Sequence, residues 1–408
     1  VLGRCLRSLG IPLIDRQRIG SDPLAYQVAF PDARLEMGER QRTCEELVTW
    51  RFADAEDAAA LTHELAEAAA AERDAMLEAP VVRTPRRLSR GAGRRPADLL
   101  APPPRVGTPG RHARGLPARI AEAPPRLASL CAAQTRALSN LGASAPSPEA
   151  QARLLGLSLD GSALFAGGEC WVRALLRRRI EALYGEFRTL PEAFHLVNVT
   201  NQPGVALADS GEIWCGRTLI LNAPRAALAD AIRQHPVPEL LAAPAPTRRR
   251  LSLHLRARRA TLPEGMSKRV IVVRDVDGPM QGTNVITLRV FPNTRRNESV
   301  DLVASSVVDF DAPDLPDREA EILDAVLALM PFAGDSIQRV SAPVPRWDSD
   351  DWLSDPPSGG SWPDTCEVRI SSKPPTWLLD RAGVAGLGFE GDVLLGWRAG
   401  DAVAADLA

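Results

Sequence analysis

Lysine is nearly missing from this chain: Lys268 and Lys373 are the only two among 408 residues, so its positive charge rests on arginine. Beside so many alanines and prolines, that arginine excess reads as coding bias more than function. The formal net charge is −2, which gives no global electrostatic reason to expect nucleic acid as a partner. Cysteine is sparse and scattered, at Cys5, Cys44, Cys131, Cys170, Cys215 and Cys366, with no Cys-x-x-Cys pair. Neither a zinc ribbon nor a disulfide framework is suggested, and a reducing, cytoplasmic setting is expected. His63, His112, His195, His235 and His254 are far apart in the chain and form no metal-ligand pair. The acidic cluster Asp348, Asp350, Asp351 and Asp355 lacks the spacing of a calcium loop, so no metal is expected. No Gly-x-Ser-x-Gly elbow occurs either, which leaves hydrolase readings without support. No apolar run reaches about 18 residues, so no spanning helix is expected, and the N-terminus lacks the apolar core of a signal peptide.

What is present is ordinary globular composition, 45% hydrophobic and 25% charged, enough for one large core or two ordinary ones. The stretch around which the chain is organised runs from Gly161 to Ile232. The pair Gly167-Gly168 lacks Cβ atoms directly before a helix, where backbone can approach a ligand or another backbone closely. From Trp171 to Tyr184 the apolar Trp171, Ala174, Leu175, Ile180, Leu183 and Tyr184 recur mostly at three- and four-residue steps between arginines, which predicts an amphipathic helix stopped by Gly185. Glu186 to Val199 reads as extended chain. Val205 to Leu207 and Ile213-Trp214 flank Asp209-Ser-Gly211-Glu212, a hairpin signal. Leu219 to Leu221 is an apolar strand end, and Pro224 opens a helix over Arg225 to Arg233.

This arrangement resembles the FAD-dependent oxidoreductases of the phytoene-desaturase and amine-oxidase group. In that group a glycine pair, a helix, an adenosine-contacting strand, a hairpin and a strand ending in Asn-Ala or Ala-Pro follow in order. Here they match Gly167-Gly168, Cys170 to Tyr184, Leu196 to Val199, Ala208 to Gly211 and Asn222-Ala-Pro224. A second match, Gly386-Leu-Gly388-Phe-Glu390-Gly391-Asp392 running to Gly396, resembles the group's C-terminal flavin segment. The resemblance implies an α/β (α+β) chain: an FAD/NAD(P)-binding-type domain, incomplete at its N-terminus, with an inserted antiparallel-sheet-plus-helices substrate domain. Residues 1–23 would be a remnant of the flavin domain, 24–160 a substrate and lid region, 161–235 the adenosine side, 236–380 substrate domain again, and 381–408 the closing flavin segment. FAD would be the cofactor, held weakly by this chain or not at all. Val197 and Val199 would lie near the adenosine, and Gly386, Gly388, Glu390, Gly391 and Asp392 at the flavin. The reaction implied is hydride transfer from a large apolar, isoprenoid-like substrate to flavin, which needs no protein acid or base, and no catalytic residue is assigned. The alternative is a non-catalytic relative, or a subunit whose partner supplies the nucleotide site. The group's opening strand, Gly-x-Gly-x-x-Gly turn and helix have no counterpart early in the chain, since Gly91-Ala-Gly93-Arg-Arg-Pro96 has two of the glycines and ends in proline.

The flanking segments fit a substrate domain. Leu2 to Leu9 predicts a short helix; Tyr26 to Leu35 reads as two strands joined at Pro31-Asp32; Asp54 caps a long helix over Ala58 to Leu77. Pro80 to Pro148 is rich in proline and arginine. Arg87 to Arg111 reads as a linker, whereas Leu127 to Leu159 reads, by the resemblance, as a lid over an apolar tunnel, in peripheral contact with a membrane. Arg248 to Arg259 predicts a strand with one charged face, followed by strands over Arg269 to Arg274, Asn284 to Phe291 and Val300 to Val308. A helix over Leu315 to Met330 then presents a stripe of Ile322, Leu323, Val326, Leu327 and Met330. Trp347, Trp352, Trp362 and Trp377 read as anchors of a loop-rich segment, with a cavity lining as the other reading.

Overall fold

A computed structural model describes residues 1–78, 113, 115–165, 169–188, 194–208, 210–222, 247–292, 298–341, 352, 353, 355, 369–372 and 374–408. The chain is mixed α/β. Its helices among those residues are α1 (Leu2–Ser8), α2 (Leu13–Arg16), α3 (Arg40–Thr49), α4 (Ala55–Glu78), α5 (Leu116–Glu122), α6 (Pro125–Leu138), α7 (Pro148–Gly156), α8 (Glu169–Ala182), α9 (Leu315–Leu329) and α10 (Gly388–Leu407). The strands are β1 (Ile19–Asp22), β2 (Leu24–Ala29), β3 (Arg34–Gly38), β4 (Ser162–Phe165), β5 (Phe194–Val199), β6 (Gln202–Leu207), β7 (Ile213–Cys215), β8 (Leu219–Leu221), β9 (Arg248–Arg258), β10 (Arg269–Val273), β11 (Val285–Pro292), β12 (Ser299–Asp309), β13 (Gln338–Arg339), β14 (Trp352–Leu353), β15 (Arg369–Ser372) and β16 (Pro375–Leu378). The glycine pair at 167–168, the helix expected over 225–233 and the segment 79–112 lie outside the described residues.

The large sheet has the order β13-β9-β12-β11-β10-β2-β3, with β14 also paired to β9. Every neighbouring pair in it is antiparallel except β10 and β2, which run parallel with Val270 beside Gln27 and Val272 beside Ala29. The sequence of β10 explains its central place. Val270 and Val272 point to one face and Ile271 and Val273 to the other, so both faces are apolar and both must be covered. On one side α9 lays Ile322, Ala325, Val326 and Leu329 over Leu255, Ile286, Leu288 and Leu302. Ala325 and Leu329 are buried beside Ile322 and Val326, while Leu327 of the expected stripe is half-buried. On the other side α4, α5, α6 and α7 cover Val28, Leu35, Ile271 and Val285. Asp54 caps α4 as expected, its carboxylate accepting from the Asp57 N–H at 2.8 Å. The apolar face of the expected lid is turned inward: Leu127, Leu130 and Cys131 on α6 and Leu155 on α7 are all part of this core.

A second group of elements comes from the two ends of the chain and its middle. β16 pairs parallel to β8 and antiparallel to β15, with Trp377 beside Ile220. β5, β6 and β7 form an antiparallel meander whose Leu196 and Val205 meet Leu221 and Leu378. The β5–β6 turn is Thr200-Asn201, with φ of 52° and 65°, so two non-glycine residues adopt the left-handed conformation that this tight hairpin needs. α10 packs Leu395 and Val403 over the fully buried Trp377, an anchoring role for that tryptophan. α1 packs on α8 through Leu6 and Leu175. β1 pairs antiparallel with β4 in a separate two-stranded sheet, and the two groups meet where Met76 of α4 and Ala150 of α7 pack on Leu387 and Leu394. Among the described residues no helix is long and apolar enough to cross a membrane.

Two predictions follow from the core facing the helices. Ile271→Ala removes a fully buried side chain from a strand covered on both faces, and urea denaturation should show a loss of about 2–5 kcal/mol. Burial also pushes the Cys131 thiol from 9.0 up to about 12, and burial pushes the Tyr26 hydroxyl, which accepts from Gln134 Nε2 at 3.1 Å, from 10.0 up to about 12. The folded chain keeps protons there that the unfolded chain loses, so this stability is complete below about pH 9 and is lost as pH rises towards about 12. Urea midpoints should fall across that window, and the fall should be shallower in Tyr26→Phe and Cys131→Ala than in the parent.

Candidate functional site

The residues the resemblance assigns to flavin lie where β16 passes through a 3₁₀ turn, Arg381–Leu387, into α10. Asp380 begins that turn, its side chain accepting from the Ala382 N–H at 3.1 Å. Arg381 then reaches across to Asp392 in the first turns of α10 with two bonds of 2.7 Å, Nε to Oδ1 and Nη2 to Oδ2. This planar two-point pairing fixes the angle at which the turn enters the helix. Asn140 clips the turn from outside, its N–H donating to the Ala385 carbonyl at 2.8 Å.

Glycine is required at two points here. Gly388 has φ of +55°, and a Cβ built on it would stand 2.2 Å from the Leu138 carbonyl oxygen. A Cβ on Gly391 would stand 2.5 Å from the Val384 carbonyl oxygen. Both contacts are to backbone and cannot swing aside. Gly386, Gly388 and Gly391 have the full Gly-x-Gly-x-x-Gly spacing, a signal that sequence reasoning assigned to the flavin ring without recognising its phosphate-loop form.

Glu390 follows in the first turn of α10 and is 8% exposed; Arg153 on α7 is 2% exposed. Arg153 Nε donates to Glu390 Oε2 at 2.8 Å and Nη2 to Oε1 at 2.6 Å, while Nη1 donates to the Ala69 carbonyl of α4 at 2.6 Å. One guanidinium therefore holds three helices together. Sequence reasoning missed Arg153 because a single arginine in a helical pattern carries no mark of burial.

Beyond Asn140, the loop to Ser144 is held by Asp355. Its Oδ1 accepts from the Ala143 N–H, the Ser144 N–H and the Ser144 hydroxyl at 2.7, 2.8 and 2.9 Å, and its Oδ2 accepts from the Thr247 hydroxyl at 2.7 Å. Burial works to raise this carboxyl, but those hydrogen bonds together outweigh it and hold Asp355 below the usual carboxylate range. Arg250, buried on β9, donates to Asn140 Oδ1 at 3.2 Å and ties the same loop to the large sheet.

Val197 and Val199 are elsewhere. They lie on β5, opposite Gly204 and Gln202 of β6; Val197 is half-buried and Val199 is exposed. The structure thus gathers Gly386, Gly388, Glu390, Gly391 and Asp392 around one turn and leaves the two valines on the β5–β6–β7 meander, which meets β8 and β16 through Leu196 and Val205. As a cradle for FAD the turn fits poorly. The close approaches that glycine permits are filled by the carbonyls of Leu138 and Val384. Among the described residues no group of three or more histidine, cysteine, aspartate or glutamate side chains could hold a metal ion.

No family model matches the chain, and no curated protein matches it. The strength of the Arg153–Glu390 fork is directly testable. Arg153→Met should cost about 3–5 kcal/mol in urea denaturation, because it leaves Glu390 buried without its partner. The double variant Arg153→Met/Glu390→Leu should recover most of that loss.

Proposed function

We propose that this chain works as an FAD-dependent oxidoreductase of the phytoene-desaturase and amine-oxidase kind, taking hydride from a large apolar, isoprenoid-like molecule. The observation that carries the reading is the interleaving of the chain. A parallel pair, β8 and β16, joins residues 219–221 to 376–378 and leads through a glycine-spaced turn into the helix α10, while a mostly antiparallel sheet with helices on both faces is built from 24–38 and 248–309. That division is what an FAD/NAD(P)-binding-type domain with an inserted substrate domain calls for. FAD supplies the hydride acceptor in such an enzyme, and the protein contributes binding, orientation and exclusion of water.

The filled glycine turn sets a condition on the reading. With the helix start at Gly388 filled, this turn holds FAD weakly by itself, and tight binding needs a dinucleotide-binding unit other than Gly386–Gly391. The same filled turn favours a second reading, a non-catalytic relative or a subunit whose partner supplies the nucleotide site.

Flavin content separates the two. The 408-residue chain is expected to purify colourless or with substoichiometric flavin by absorbance. Fused or co-expressed with a strand–glycine–helix unit, it should purify yellow and reduce its flavin when given an isoprenoid substrate. Stoichiometric FAD on the chain alone would overturn the condition drawn from the turn. A colourless extended protein would support the non-catalytic relative.

A further inference from the structure

The end of α8 breaks a local rule. Gly185 donates its N–H to the Ile180 carbonyl at 2.9 Å and Tyr184 donates to the Glu181 carbonyl at 3.0 Å, the two bonds of a Schellman cap. The left-handed position in that cap is normally glycine. Here it is Tyr184, with φ of +64° and 98% of its surface exposed. A strained backbone that holds an aromatic ring entirely in solvent gains nothing for folding, and such outliers gather at functional surfaces.

The neighbours of Tyr184 share its character. Leu183 is 62% exposed, and Ile180 and Phe187 are about half exposed. The Arg177 guanidinium stacks over the Phe187 ring at 4.5 Å. This end of α8 also touches the N-terminal helices, since Arg179 Nε donates to the Leu9 carbonyl at 2.9 Å. There Leu13 and Ile14 on α2 are 58% and 70% exposed. Residues 1–18 and 169–188 together carry nine arginines against Asp15, Glu169, Glu181 and Glu186, in a chain whose formal net charge is −2. Arg4, Arg7, Arg18, Arg173 and Arg178 are exposed.

We infer that this surface, the end of α8 with Leu183, Tyr184 and Phe187 and the adjoining α1–α2 segment with Leu13 and Ile14, docks onto an anionic lipid surface. Aliphatic and aromatic tips enter the headgroup boundary, and the arginines meet the phosphates with their stems along the apolar layer. A second copy of the chain fits less well, because a symmetric contact would set each arginine cluster against its like. Nucleic acid would answer the arginines but leave Leu13, Ile14 and Leu183 without a partner. The inference does not rest on the cofactor, and it places lipid contact on a different surface from the buried apolar face of α6.

Vesicle sedimentation of the full chain tests it without flavin. Phosphatidylcholine vesicles containing phosphatidylserine should pellet the protein, pure phosphatidylcholine should not, and added salt should reverse the binding. Arg178→Gln should lower partition about fivefold. Tyr184→Gly should weaken binding while leaving the thermal midpoint equal or higher, because glycine relieves the left-handed position. That split between stability and binding would not come from a merely structural tyrosine. Equal sedimentation with both vesicle types, none with either, or unchanged binding by Tyr184→Gly would overturn the inference. So would a vesicle-free dimer that Tyr184→Gly dissociates, which would give the surface to a second copy.

Discussion

The Arg153–Glu390 fork is the constraint on which the arrangement of this chain turns. Its guanidinium is buried between α4, α7 and the start of α10, and each of its three nitrogens has an acceptor there. Burying both charges costs several kcal/mol in desolvation, so the net stability from such a pair is small when an apolar pair could fill the same space. What the fork adds is uniqueness. Leucines let helices slide by a fraction of a turn at little cost, whereas Glu390 meets both donors at only one axial position of α10. That position in turn sets Gly388 against Leu138 and Gly391 against Val384, and brings Asp392 to Arg381.

The glycine spacing shows why a motif is a statement about space. Gly386-x-Gly388-x-x-Gly391 follows a strand and opens a helix, as a dinucleotide-binding turn does. In such a turn the missing Cβ atoms admit a pyrophosphate; here they admit two carbonyls of the same chain. The residue types and their order are identical in the two cases. What distinguishes them is what fills the space: the turn's own Val384 at Gly391, and at Gly388 the end of α6, some 250 residues earlier in the sequence.

Much of the scaffold was legible because its signals are local. The apolar run within Arg269 to Arg274, the cap at Asp54, the stop at Gly185 and the stripe of α9 each lie within one element and do not depend on distant contacts. The burial of α6 was hidden by its neighbourhood of prolines and arginines: Arg126 lies over Phe52 and bonds Asp32, so its charge accompanies a buried helix instead of marking an exposed one. The β5–β6 hairpin was hidden because Thr200-Asn201 does the work usually given to Asn-Gly. At the candidate site, the glycines and carboxylates of residues 386–392 were named from sequence, but Arg153 and Asn140 were not, and Asp355 was read only as part of an acidic cluster without metal spacing. Each acts across a large sequence separation, where no periodicity reports contact.

The parallel pairing of β2 with β10 also bears on how the chain folds. β2 is made well before its parallel partner β10, which lies more than 240 residues later in the sequence. Until then Val28 and its neighbours have only the β3 side of their hairpin, and the opposite edge exposes unpaired peptide groups. β8 waits in the same way for β16, more than 150 residues further on. Closing such long loops before any contact rewards them makes folding slow and leaves sticky edges exposed meanwhile. Until β10 and β16 have been made, the open edges of β2 and β8 stay available to other chains.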